Sequence, residues 1–173
     1  MNLSASNNLP LLILGGGGHG LVVAEAAAET GWAIAGFLDD STMPVLGIPG
    51  EGRLAVQHLG RIAEVSRRAG GEGGCAVVLA IGDAAARRRL IGVLADQSPP
   101  AALATIIHRS AIVSPSATIG RGVFIGARAV VQARARIGDH AIVNTGAIVE
   151  HECEVGENVH LSLIHISEPT RLR

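Results

Sequence analysis

From Ala111 the chain can be cut in sixes without loss of phase: AIVSPS, ATIGRG, VFIGAR, AVVQAR, ARIGDH, AIVNTG, AIVEHE, CEVGEN. The third place is aliphatic in every unit, at Val113, Ile119, Ile125, Val131, Ile137, Val143, Val149 and Val155. The first place is small or medium, mostly alanine, and the fourth is often glycine, as at Gly120, Gly126, Gly138 and Gly156. A helix would space its apolar residues by threes and fours, and a hairpin sheet would break its alternation with longer turns, so neither period fits. Six residues make one side of a triangular prism. Three sides close a coil whose aliphatics point inward and stack on the next coil, which predicts a parallel β-helix over residues 105–160. The small first-place residues and the glycines are expected to turn the backbone at the corners. Cys153 stands in a first place and is expected in the core.

The preceding part has another rhythm. An apolar run at 11–14 leads into GGGGHG and then into the alanine-rich LVVAEAAAE, the order strand, glycine turn, helix. Gly15, Gly17 and Gly20 satisfy G-x-G-x-x-G, which lets backbone N–H groups and a helix N-terminus approach a phosphate. A second strand over 32–38 ends in Asp39 and Asp40, where an acidic residue would meet a ribose or sugar hydroxyl. A third strand over 76–81 passes through Gly82 and Asp83 into a helix over 84–95. Between the second and third strands PVLGIPGEG reads as a turn-rich loop and 54–68 as a helix, SPP at 98–100 closes the part, and 105–108 leads into the repeat. The expectation is a small Rossmann-like α/β domain over 9–100. About 100 residues are too few for both halves of a dinucleotide fold, which argues against NAD. The same glycines also suit a tight turn with no ligand, and the acidic pair also suits an exposed turn.

Composition narrows the partners. With 14 Lys+Arg against 15 Asp+Glu the formal charge is -1, so no general field draws the chain to nucleic acid or to an anionic membrane. The aromatic share is 2%, with no tyrosine, which removes stacking platforms for single strands. Two cysteines, Cys75 and Cys153, lack metal-ligand spacing and the density of a disulfide scaffold. No apolar run approaches the ~20 residues of a membrane helix, and the N-terminus does not read as a signal peptide. A cytoplasmic protein without a metal is the expectation.

The aliphatic-Gly hexads resemble those of the left-handed β-helix acyltransferases, and left-handed coiling is what that resemblance implies. A glycine-loop α/β domain joined to such a helix is similar to the sugar O/N-acetyltransferases related to sialic acid O-acetyltransferase and to the UDP-4-amino-4,6-dideoxy-sugar N-acetyltransferases. That family's pattern N-T-G-x-x-V-E-H-[ED] is present as NTGAIVEHE at 144–152, and IGDAAARRR matches its third strand-to-helix turn. The resemblance implies an acetyl-CoA-dependent acetyltransferase of surface glycan synthesis, acting on the amino group of a nucleotide-linked amino sugar as a homotrimer. It puts the nucleotide sugar on Gly15, Gly17, Gly18, His19, Gly20, Asp39, Asp40, Gly82 and Asp83. It puts the catalytic base on His151, which suits an imidazole working near neutral pH, with Glu152 holding the ring. Asn144 and His160 would position the acetyl group or the amine. On residue type alone, His151 is also what an outward-facing corner residue would look like, and His19 and His108 read as structural. Arg121, Arg128, Arg134 and Arg136 read as a solvated face.

The hexad phase fails after Leu161, and LSLIHISEPTR resembles the translation of a transposase sequencing adapter. Residues 161–173 are therefore expected to be a non-native tail. Later coils supply the family's acetyl-CoA slot, so this chain alone is expected to be inactive while its complete gene encodes an active enzyme. Acetylation of a sugar hydroxyl, as in the sialic acid enzymes, and a non-catalytic nucleotide-sugar-binding scaffold are the alternatives. A γ-type carbonic anhydrase is disfavoured, since His140, His151 and His160 lack that family's other residues.

Overall fold

A strand without a polar side chain is at home only where both faces are covered. In the computed structural model, which describes residues 9–47, 54–69, 74–98 and 100–162, Leu11–Leu14 forms such a strand, β1, and is fully buried. β2 (Ile34–Leu38) and β3 (Ala76–Leu79) flank it in parallel in the order β2-β1-β3. Helix α1 (Gly18–Glu29) joins β1 to β2, and a longer connection containing the short helix α2 (Val65–Ala69) joins β2 to β3. Backbone bonds alone extend the sheet at both edges. Phe37 N–H donates to Gln57 O (3.0 Å) and Leu59 N–H to Phe37 O (2.9 Å) on one side, and Val77 N–H to Ala102 O (2.7 Å) on the other.

The helix expected over 54–68 is therefore cut back. Residues 57–60 serve the edge of β2, Gly60 adopts a left-handed φ of 129°, and helical structure starts only with a 3₁₀ turn at Ile62–Glu64 leading into α2. Edge pairing outweighs local propensity there. The second strand begins at Ile34 and the third ends at Leu79, inside the ranges expected. Of the PVLGIPGEG loop, Val45–Gly47 is a 3₁₀ turn and residues 48–52 lie outside the described residues, as do Pro99 and the tail from 163 to 173.

Helix α3 (Ala84–Ala95) opens on Asp83, whose carboxylate accepts the Ala86 N–H at 2.6 Å. One turn later Arg87 is fully buried, and one of its guanidinium nitrogens donates to the carbonyls of Ile81 and Gly82 at 2.9 and 3.0 Å. Burial pulls the Arg87 guanidinium below its ordinary range, against the attraction of Asp83. A charge withdrawn from water is tolerated because it clamps the turn after β3.

The described residues divide into two compact units between Ala104 and Thr105. The second unit is a triangular parallel β-helix of two-residue strands. Its first face stacks β4 (Ile106–Ile107), β7 (Phe124–Ile125), β10 (Ile142–Val143) and β13 (His160–Leu161). The second face stacks β5 (Ile112–Val113), β8 (Val130–Val131) and β11 (Ile148–Val149). The third stacks β6 (Thr118–Ile119), β9 (Arg136–Ile137) and β12 (Glu154–Val155). Third-place aliphatics and first-place small residues fill the interior, from Ala117 to Val155.

The corners work differently from expectation. Left-handed φ falls on the sixth place, at Gly122, Arg128, Arg134, His140, Gly146, Glu152 and Asn158. The amide of that residue bonds to the preceding coil, as in His140 N–H to Arg121 O (2.8 Å), Glu152 N–H to Ala133 O (3.0 Å) and Asn158 N–H to Asp139 O (2.9 Å). At Arg128 and Arg134 the acceptor is instead a serine hydroxyl, Ser110 and Ser116, 18 residues back and 3.1 Å away. The fourth-place glycines answer a different need: a Cβ on Gly126 would sit 2.7 Å from Thr145 N, and one on Gly138 2.6 Å from Glu157 N. Cys153, expected in the core, is exposed. The buried first places run from Ala117 to Ala147, and Cys153 falls outside that cluster.

These two roles of glycine separate on mutation. Gly126→Ala forces Cβ into the next coil and should cost about 1–3 kcal/mol of stability, whereas Arg128→Gly relieves a left-handed residue and should change stability by less than about 1 kcal/mol. Urea denaturation checks both; equal effects would refute the assignment. Arg87→Met removes the donor to two part-buried carbonyls and should cost about 1–3 kcal/mol, and an unchanged urea midpoint would show that the clamp is dispensable.

Candidate active site

Two places carry the polar residues singled out above. The first is the glycine loop. Gly15 has a φ of 109°, and a Cβ on it would lie 2.8 Å from both Ala80 O and an Ile81 side-chain carbon. Gly20 is crowded by the Gly15 carbonyl, and Gly16 by the Phe37 ring. Gly17 and Gly18 face open space, and Gly17, at the head of α1, provides no side-chain cap. The N-terminal amides of α1 are therefore not satisfied by a capping side chain.

The acidic pair beside this loop is engaged with backbone. Asp39 Oδ2 accepts the Gly16 N–H at 2.5 Å and Oδ1 the Ser41 N–H at 2.6 Å. Asp40 Oδ1 accepts the Ile62 N–H at 3.2 Å and meets Arg61 Nε at 3.4 Å. The imidazole of His58, not anticipated from sequence, stacks on Phe37 with ring centroids 4.8 Å apart and places Nε2 3.2 Å from Asp39 O. Gly82 and Asp83 sit on the clamped turn, with Gly82 O accepting from Arg87 and Asp83 capping α3.

The second place is the β-helix. Asn144 lies just past the first face, and its Nδ2 is 3.4 Å from Nε2 of His160, the residue paired with Ile142 in the next coil. His151 lies on the corner after the second face, with 72% of its side chain exposed. Its Nδ1 is 3.6 Å from Glu152 Oε2, while Glu152 Oε1 is 2.6 Å from Arg134 Nη2. The structure thus gathers the four residues into two pairs, His151 with Glu152 and Asn144 with His160, on different corners of one prism.

Of the arginines read as a solvated face, two are ion-paired. Arg134 holds Glu152, and Arg121 holds Asp139 at 3.0 Å. The Arg121 backbone N–H, ahead of its side chain, holds the Asp139 carboxyl below the usual carboxylate range. Sequence reasoning missed these pairs; the signal was a charge complement 18 residues apart. Among the described residues no group of three or more His, Cys, Asp or Glu is arranged to hold a metal, and no helix is long and apolar enough to cross a membrane.

Comparison with known proteins converges. The model of the PglD N-terminal domain matches residues 10–94. A solved structure of a variant perosamine N-acetyltransferase from Caulobacter crescentus, in complex with CoA and GDP-perosamine, is 35% identical at a TM-score of 0.72, over 87% of this chain and 67% of that one. The acetyltransferase domain of PglB from Neisseria gonorrhoeae in complex with acetyl coenzyme A is 35% identical at a TM-score of 0.71, over 87% and 69%. WeeI from Acinetobacter baumannii, at 18% identity and a TM-score of 0.64, shares the fold. No curated protein matches the chain. With its small α/β domain, its left-handed β-helix and these relatives, the chain belongs to the sugar acetyltransferase family.

Proposed function

We propose that the protein transfers acetyl from acetyl-CoA to the amino group of a nucleotide-linked amino sugar of the 4-amino-4,6-dideoxy type, with His151 as general base. The observation that carries the reading is the pair of polar corners, supported by relatives solved with CoA and GDP-perosamine or with acetyl coenzyme A. Gly15, Gly17, Gly18, His19, Gly20, Asp39, Asp40, Gly82 and Asp83 form the nucleotide-sugar side. Because Asp39 occupies the Gly16 amide, the diphosphate lies against Gly17 and Gly18, where a side chain would meet only open space, at the positive end of α1.

The chemistry follows from the residue types. The sugar amine attacks the thioester carbonyl, a C–N bond forms, and the proton leaves nitrogen for the His151 imidazole. Collapse of the tetrahedral species breaks the C–S bond, and the proton returns to the departing CoA sulfur. Asn144 and His160 hold the acetyl oxygen or the amine. Since the two pairs lie on different corners, one site uses His151 of one chain and Asn144 with His160 of the next, in a homotrimer. An apolar stripe supports that seam: Ile112 and Ile148 on the second face, beside the His151 corner, are 66% and 55% exposed.

His151→Ala should lower kcat by about 10²–10⁴-fold with nucleotide-sugar affinity unchanged, measured by labelled acetyl transfer and calorimetry. Unchanged turnover of amine acceptors would dispose of the base. In the same assay, sugar alcohols accepted in place of amines would favour O-acetylation.

A further inference from the structure

We infer that Arg134 is a positioning residue for His151, acting through Glu152; the inference rests on the reading of His151 as the base. The corner after the second face carries Ser116, Arg134 and Glu152 in register, one per coil. Ser116 Oγ accepts the Arg134 N–H at 3.1 Å, Arg134 Nη2 reaches Glu152 Oε1 at 2.6 Å, and Glu152 Oε2 faces His151 Nδ1 at 3.6 Å. Arg134 and Glu152 share the same left-handed backbone, with φ of 57° and 60°, so the coil register superposes their side chains.

Stability does not explain this arrangement. The Arg134 and Glu152 side chains are 73% and 55% exposed, and an exposed pair of this kind contributes little to folding. Its consequence is orientation. A carboxylate has two oxygens, and with one tied to the guanidinium the other is kept beside Nδ1. A carboxylate there favours the tautomer with the proton on Nδ1 and leaves the Nε2 lone pair for the substrate proton. Glu150 precedes His151 in the chain, Glu154 on β12 stands in register with Arg136 on β9, and Gln132 and Ala133, in the coil before, are neutral. Arg134 is the cation tied to Glu152, and without it Glu152 is free to leave the ring.

The test compares Arg134→Ala and Arg134→Lys, with His151→Ala as control. Arg134→Ala should lower kcat on the order of tenfold with the KM of both substrates little changed, and Arg134→Lys should regain most of the loss. Wild-type kcat in Arg134→Ala, a loss confined to KM, or no regain with Lys would overturn the inference. A second measurement is nitrogen NMR on the same proteins: imidazole nitrogen shifts of His151 should report the Nδ1–H tautomer, and Arg134→Ala should mix the two tautomers. An unchanged ring would also overturn it. Should His151→Ala retain wild-type kcat, the base assignment fails; should His151→Ala collapse while Arg134→Ala does not, only the present inference fails.

Discussion

Each coil of the β-helix hangs from the one before it by backbone hydrogen bonds, and this register orders everything that the second unit displays. At the non-glycine sixth places from Arg128 to Asn158 the amide, held in a left-handed conformation that costs about 1–2 kcal/mol, finds its acceptor in the preceding coil. Fourth-place glycines allow the coils to approach closely enough for those bonds. With the interval fixed, side chains on one corner stack in columns. Arg134 then stands over Glu152, and Asn144 within reach of His160, as consequences of backbone geometry rather than of long-range attraction.

Charge is used in a comparable way in the first unit. Asp39, Asp40, Asp83 and Arg87 bind backbone groups of turns and helix ends. A hydrogen bond between a charged side chain and backbone is stronger than a neutral one and sets the turn's conformation. The glycine loop is thereby held by Asp39 at Gly16 and by the crowding of Gly15 against the end of β3, leaving Gly17 and Gly18 open.

The period of six was legible because burial imposes it: the third place must be aliphatic wherever coils stack, and it is, from Val113 to Val155. The strand, glycine turn and helix around Gly15 were legible for a similar reason, since close approach admits no Cβ. The corners were not. Left-handed φ announces itself through glycine at Gly122 and Gly146 but is hidden at Arg128, Arg134, His140, Glu152 and Asn158, where a ladder of bonds, not the residue type, sustains it. Cys153 shares its first place with the buried alanines yet is exposed, and its hexad gives no sign of the difference. Residues 57–60 escape local reading because their partner, β2, lies some 20 residues earlier. The residues of the His151 corner were legible as types, yet the Arg134 to Glu152 pair required the coil length to be known first.

The account turns on a division of labour between corners. His151 and Glu152 occupy one corner, Asn144 and His160 another, and a base must stand within hydrogen-bond reach of the proton it takes. Two chains side by side reconcile these facts, each lending one corner to a shared site. Subunit complementation tests this most directly. Chains carrying His151→Ala and chains carrying Asn144→Ala, each inactive alone, are dissociated, mixed and reassembled. The account predicts acetyl transfer returning to about a quarter of wild type, the share of seams that receive both intact corners under random mixing in a closed ring. Mixtures that stay as inactive as their parents would contradict it.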